Sequence, residues 1–128
     1  MPSRPYVTAT VTISAGAALS SALDTEGWMV AGVELPSGFE GAFLSIRTGS
    51  AADTCRRVFL SDSSAANPAF FKLPSALASE AVVLQLEPLL TLGRNFVQLR
   101  SIQADGATDQ NQAASRTVTL FLAKPGTF

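Results

Sequence analysis

Hydrophobic residues occupy every second position over long parts of the chain, which is the pattern of β-strands that bury one face. The clearest case lies in the final run, residues 111–124, in which Val118, Leu120 and Leu122 fall on one face. Residues 96–101 alternate in the same way, and a polar loop joins the two runs. We therefore predict that these runs form paired strands near the middle of a β-sheet.

The beginning of the chain shows the same period of two. Residues 7–13 alternate small or branched apolar side chains with threonine, and residues 19–23 alternate again after a Ser-Ala-Gly turn. This arrangement predicts a β-hairpin. Residues 28–35 are nearly all apolar, as expected for a strand covered on both faces, and Gly32 in its interior indicates a bulge or a close backbone approach.

Similar runs recur to give eight or nine strands, separated by turns rich in Gly, Pro, Ser, Asn and Asp. Helical periodicity is nearly absent, although residues 75–79 could form one helical turn. The pattern is typical of an all-β protein, an antiparallel β-sandwich or jelly roll with little or no helix. We expect residues 6–128 to form a single domain and residues 1–5, with two prolines, to form an extended N-terminal arm.

Composition narrows the possible functions. Of 128 residues, 47% are hydrophobic and 15% are charged, which excludes general disorder, and the net charge of −1 gives no long-range attraction for nucleic acid or an anionic membrane. No run approaches the roughly 18 apolar residues of a membrane span. The N-terminus lacks the apolar segment of a signal peptide, so we expect synthesis in the cytoplasm.

The residues that usually carry catalysis are scarce. There is no histidine, and the single cysteine, Cys55, cannot form an internal disulfide or a thiolate metal cluster. Asp105 and Asp109 share a loop, but a calcium site needs more oxygen ligands at closer spacing, so we interpret them as solvated turn residues. We therefore expect no catalytic residue, no cofactor and no metal site, and hence no enzymatic activity.

Some residues have no evident role in a core and are candidates for contacts with a partner. Arg56 and Arg57 at the start of a strand could bind a phosphate or a carboxylate, but such a pair is more often a solvated rim. Trp28 is either an edge-of-core aromatic or an exposed contact, and we favour the core. The candidate partner contacts are Pro2, Arg4, Pro5, Arg56, Arg57 and Phe128.

Several segments together carry a family resemblance. They are an opening hairpin over residues 11–24, a strand over 30–36, a phenylalanine-led strand over 96–101, and an Asn-Gln-Ala-Ala loop at 111–114 that leads into the last strand. In this order the chain resembles small structural proteins encoded in the head-gene region of tailed bacteriophages and prophages. Between Thr48 and Ser79 it departs from their pattern, because that family tends to have an Asp-Gly turn and tyrosines there.

The resemblance implies a virion component with a β-sandwich or jelly-roll fold, and we expect a capsid decoration (cement) protein. Such a protein would bind the major capsid protein at the capsid surface after synthesis in the bacterial cytoplasm, as a homo-oligomer (trimer or dimer), without binding nucleic acid or a membrane. The alternative is a carbohydrate- or receptor-binding β-sandwich module of a head or tail fibre. Sugar sites usually stack rings on exposed aromatic residues, for which Trp28 and Tyr6 are the obvious platforms.

Overall fold

A computed structural model describes residues 6–57, 70–85 and 95–124. Within these residues there are nine strands and one 3₁₀ turn. The strands are β1 (Tyr6–Ile13), β2 (Leu23–Asp24), β3 (Met29–Leu35), β4 (Phe43–Gly49), β5 (Arg56–Arg57), β6 (Phe70–Lys72), β7 (Val82–Gln85), β8 (Phe96–Ile102) and β9 (Arg116–Ala123). The 3₁₀ turn, Ser75–Ala78, confirms the single helical turn that the sequence predicts.

The strands form two antiparallel sheets. The first has the order β1-β9-β3-β7, and the second has the order β2-β8-β4-β5, with β6 also paired to β4. The predicted all-β antiparallel sandwich is therefore confirmed. We call these the threonine sheet and the arginine sheet, after the residues on β1 and β9 and on β4 and β5.

One apolar core lies between the sheets and takes alternate residues from each strand. Val118 and Leu120 of β9 are fully buried, as are Leu44 and Ile46 of β4. The face that alternation predicts for the last strand is therefore the core face. Trp28 is partly buried and packs against this core, which confirms the favoured interpretation of that residue.

Strand β3 crosses the middle of the threonine sheet and is largely buried, as its continuous apolar sequence predicts. Its register against β9 shifts between Val30 and Gly32, so the predicted bulge is present. A Cβ at Gly32 would lie 3.1 Å from the carbonyl oxygen of Leu84. The glycine thus permits the close approach of β7, as expected for glycine inside a strand.

The predicted hairpin between the first two runs is wrong. β1 pairs along all eight of its residues with β9, while the chain from Ala18 onward crosses to the arginine sheet. There the Ser20 N–H donates to the Leu99 carbonyl, and the Ser101 N–H donates to the Ala18 carbonyl, both at 2.9 Å. The Ala18 carbonyl and the Ser20 N–H are thus satisfied by β8. Alternation alone cannot distinguish a neighbour in one sheet from a neighbour in the other.

The predicted pairing of the last two long strands is also wrong, although both are central. β8 lies between β2 and β4, and β9 lies between β1 and β3, so they belong to opposite sheets. Each has one mainly apolar buried face, including Leu99 on β8 and Leu120 on β9. Placing the strands in facing layers lets the two apolar faces cover each other, and this is the physical basis of a sandwich.

Candidate interaction surfaces

The outer face of the threonine sheet carries a regular set of hydroxyl groups. Because side chains alternate along a strand, the residues of β1 and β9 that do not enter the core point away from it. Thr10 lies directly opposite Thr119, and Thr12 opposite Thr117. The set consists of Thr8, Thr10, Thr12, Thr117 and Thr119, all exposed except for the half-buried Thr119. We call it the threonine face.

The threonine face is nearly free of charge. The half-buried ring of Phe121 adjoins it opposite Thr8, and Glu34 of β3, opposite Thr119, is the one charged residue that the described strands place on this side of the sheet. Threonine offers a methyl group for packing and a hydroxyl that can donate or accept. Such a surface can pack closely against another protein without removing many ionic groups from water.

The arginine sheet has a different surface at its β4–β5 edge. Arg47 lies directly opposite Arg57 in the strand register. The guanidinium groups of Arg47 and Arg56 each donate to the Cys55 carbonyl at 3.2 Å. Neither forms an ion pair with any carboxylate among the described residues. Among the described residues no carboxylate neutralises the positive charge of this arginine edge, and a carboxylate or phosphate of a partner could bind it.

Cys55 lies under the arginine edge and is almost completely buried. Burial raises the pKa of its thiol, and the positive charges of Arg47 and Arg56 oppose that rise in pKa. A buried thiol with a raised pKa is a poor nucleophile. Cys55 therefore has the environment of a small buried residue and not that of a reactive thiol.

The predicted contact residues are not brought together by the described part of the structure. Arg56 and Arg57 form strand β5, at the arginine edge. Pro2, Arg4, Pro5 and Phe128 lie outside the described residues, so their role in partner contacts stays a prediction. The threonine face was missed, although the alternation of threonine with apolar residues in β1 and β9 is visible in the sequence.

A second feature that the sequence did not reveal is the role of Gln112 in the Asn-Gln-Ala-Ala loop. Its side chain is 1% exposed and forms hydrogen bonds with both the N–H and the carbonyl of Glu40. The Glu40 N–H donates to Gln112 Oε1 at 2.9 Å, and Gln112 Nε2 donates to the Glu40 carbonyl at 2.7 Å and to Ser101 Oγ at 3.0 Å. Its backbone N–H donates to Ala17, and its carbonyl accepts from Gly16. Gln112 thus joins three separate segments, and we call it the glutamine latch.

The loop between β8 and β9 is ordered by Asp105. The side chain of Asp105 accepts hydrogen bonds from the Thr108 hydroxyl, from the Thr108 N–H at 2.8 Å and from the Ala107 N–H at 2.9 Å. These donors, the Thr108 hydroxyl first among them, lower the pKa of Asp105 to about 2. Asp105 is therefore a turn residue, as the sequence indicates, with a carboxylate that is tied to the backbone.

A pH prediction follows from this loop. Since the pKa of Asp105 is depressed, its hydrogen bonds are fully present above the ordinary aspartate value of about 4. They are lost as the pH falls through about 2. Replacing Thr108 by valine should raise the pKa of Asp105 towards the ordinary value, whereas T108S should keep it low because serine retains the hydroxyl. NMR titration of the Asp105 carboxyl carbon measures this pKa in both variants. Equal pKa values in T108V and T108S would show that the Thr108 hydroxyl does not lower the pKa of Asp105.

The described residues contain no group of three or more His, Cys, Asp or Glu side chains placed to hold a metal ion. Nor does this part of the chain include a helix long and apolar enough to cross a membrane. A shallow open groove of about 510 Å³ lies between the turn at Gly38–Gly41 and the 3₁₀ turn, with Glu40 as its one charged lining residue.

Comparison with known proteins finds no protein-family model that matches the chain and no significant match among curated proteins.

Proposed function

We propose that this protein is a structural component of a tailed-phage head, a decoration protein that binds the outside of the major capsid shell and stabilises it. The observation that carries the proposal is the threonine face: a neutral, hydroxyl-bearing surface on the two longest strands of a sandwich with a continuous core. The resemblance of the sequence to phage head proteins supplies the identity of the partner.

The energetics of this role suit the threonine face. A shell offers many identical sites, so a modest contact at each site is multiplied over the particle, and linked copies gain further from avidity. A surface with few charges loses little free energy on desolvation, and the threonine methyl groups and Phe121 provide apolar area. The arginine edge remains available for a carboxylate at the rim of the contact, where a charge improves specificity more than affinity.

The first test is the composition of purified particles. Heads from the phage or prophage that encodes this protein should contain it in a fixed whole-number ratio to the major capsid protein, measured by quantitative mass spectrometry. Deleting its gene should lower the temperature at which the heads release DNA. Absence from the particles, or only the few copies typical of a tail fibre, would overturn the proposal, and the second outcome would favour a carbohydrate- or receptor-binding module.

A surface variant tests the threonine face itself. Replacing Thr117 by lysine should weaken binding to heads that lack the protein by at least about tenfold, since an unpaired lysine at a contact costs more than about 1.4 kcal/mol. The matched control is S75K, at an exposed position of the 3₁₀ turn and outside the face. Binding by co-sedimentation that is equal for the two variants would show that the threonine face does not contact the shell.

A further inference from the structure

Strand β1 is a long edge strand without charged residues. It is the first strand of the threonine sheet, and among the described strands only β9 pairs with it. Its eight residues, Tyr-Val-Thr-Ala-Thr-Val-Thr-Ile, include no charge, no proline and no glycine. Along the side away from β9, alternate residues of such a strand direct N–H and C=O groups outward, and these groups can pair with another strand.

The other edges of the two sheets are short or charged. β2 and β5 have two residues each, with Asp24 in one and two arginines in the other. β6 has three residues, including Lys72, and β7 has four. Short strands and charged side chains are the usual means by which proteins prevent edge-to-edge pairing. β1 is thus the one long edge in the described structure without such protection.

The sequence of β1 is also symmetric in character about Thr10. Reading outward in either direction from Thr10, the residues are apolar, threonine and apolar. Two antiparallel copies that cross at Thr10 would place Ala9 opposite Val11 and Val7 opposite Ile13. Directly opposite residues in a sheet share a face, so threonine would meet threonine on the outside and apolar residues would meet on the core side.

We propose that β1 pairs antiparallel with β1 of a second copy of this chain, across a two-fold axis at Thr10, so that two four-stranded sheets become one continuous sheet. The same strand presented twice is self-complementary, which is the requirement of a two-fold interface. The pairing uses β1 alone and does not depend on any partner in a phage shell.

The backbone groups fit this arrangement whichever alternate residues face outward. If the odd-numbered residues direct their N–H and C=O groups outward, residue 9 forms hydrogen bonds with residue 11 of the second copy. Residue 11 does the same with residue 9 of the second copy, and residues 7 and 13 pair in the same way. If the even-numbered residues do so, Thr10 bonds to its own counterpart, and residues 8 and 12 bond to each other. Each case gives roughly six to eight hydrogen bonds.

The exposure of Val7 agrees with the pairing. Val7 lies on the core side of β1 yet is 46% exposed, whereas Val11 and Ile13 on the same side are buried. In the dimer, Val7 would lie beside Ile13 of the second copy and lose much of its contact with water. Because pairing along one strand buries a small area, we expect a dissociation constant in the micromolar range.

The test is analytical ultracentrifugation of the full chain over a range of about 1 µM to 1 mM. The expected result is a concentration-dependent shift from the 13.3 kDa monomer to the dimer. Replacing Thr10 by lysine should raise the dissociation constant by at least about tenfold, since it sets two like charges directly opposite each other. The matched control T117K changes the same residue type on the same face one strand away from the edge, and it should dimerise as the parent chain does.

Other outcomes overturn the proposal. They are a chain that stays monomeric throughout the range, a trimer, or a dimer that T10K leaves intact. Circular dichroism verifies that T10K folds. If it does not, V7K replaces it, because Val7 is already exposed. T117K also separates this inference from the proposed function, since it should weaken binding to heads while leaving the dimer intact.

Disulfide cross-linking tests the register. On a C55A background, T10C should form a disulfide-linked dimer on mild oxidation, because directly opposite Cα atoms lie within the distance that a disulfide bridges. T8C should not link to itself, but T8C mixed with T12C should link. Cross-linking of T8C to itself that equals that of T10C would overturn the two-fold axis at Thr10.

Discussion

Replacing Gln112 by leucine is expected to lower the free energy of unfolding by about 3–5 kcal/mol. The substitution removes three side-chain hydrogen bonds, two of them to the backbone of Glu40. Leucine has a similar volume but offers no donor or acceptor. The Glu40 N–H and C=O would therefore lose their partners beside a side chain that is itself 1% exposed.

The effect should extend beyond Gln112. The Ala113 N–H donates to Glu40 Oε1 at 2.8 Å, and the guanidinium of Arg116 approaches the same oxygen at 3.4 Å. A displaced Glu40 would loosen both contacts at the start of β9. We therefore expect faster amide hydrogen exchange at Glu40 and Ala113 as well as a lower midpoint in urea.

The matched control is Q110L, two residues away. The side chain of Gln110 makes one local bond, from Nε2 to the Asn111 carbonyl at 3.0 Å, and it is only half-buried. This variant should lower the free energy of unfolding by less than about 1 kcal/mol. Equal destabilisation by Q110L and Q112L would show that the glutamine latch has no special role.

Truncating Leu120 to alanine should destabilise the protein by about 2–5 kcal/mol. Leu120 is fully buried on β9, between β1 and β3, and belongs to the core that joins the sheets. Its removal leaves a cavity that the neighbouring central strands cannot easily collapse to fill. Urea denaturation followed by tryptophan fluorescence measures the loss, because Trp28 packs against the same core.

The control for Leu120 is V83A. Val83 belongs to β7 of the same sheet and is 56% exposed. This truncation should change the free energy of unfolding by less than about 0.5 kcal/mol, as is usual for surface positions. A loss for L120A no greater than that for V83A would mean that the core does not lie between the two sheets.

The fold class follows from the sequence because strand periodicity is a local property. The apolar faces of β4, β8 and β9 can be read from alternation, and Gly32 marks the bulge in β3. Each of these depends on residues close together in the chain, where side-chain direction is fixed by the period of two.

Which strands pair with each other cannot be predicted from the sequence in the same way. The hairpin expected between the first two runs and the pairing expected between β8 and β9 both assume that strands adjacent in sequence are adjacent in the sheet. In this protein both connections cross between sheets, and this is decided by the backbone bonds of residues 18–20 and by the burial of two apolar faces against each other.

The interaction surfaces could be predicted from the sequence only in part. The alternating threonines of β1 and β9 are visible in the sequence, but that they form one face depends on the pairing of the first strand with the last. The glutamine latch joins Gln112 to Glu40, 72 positions away, and no local pattern distinguishes this glutamine from Gln110.

The pairing of β1 with β9 has a consequence for how the protein folds as it leaves the ribosome. β1 emerges long before β9 and cannot pair until β9 follows, because its only described partner is complete at Ala123. Until β9 has been synthesised, the uncharged, β-branched β1 stays unpaired and can associate with the same strand of another nascent chain. Slow translation or crowding on polysomes should therefore favour misassembly through β1, and a chaperone that shields β1 should increase the soluble yield.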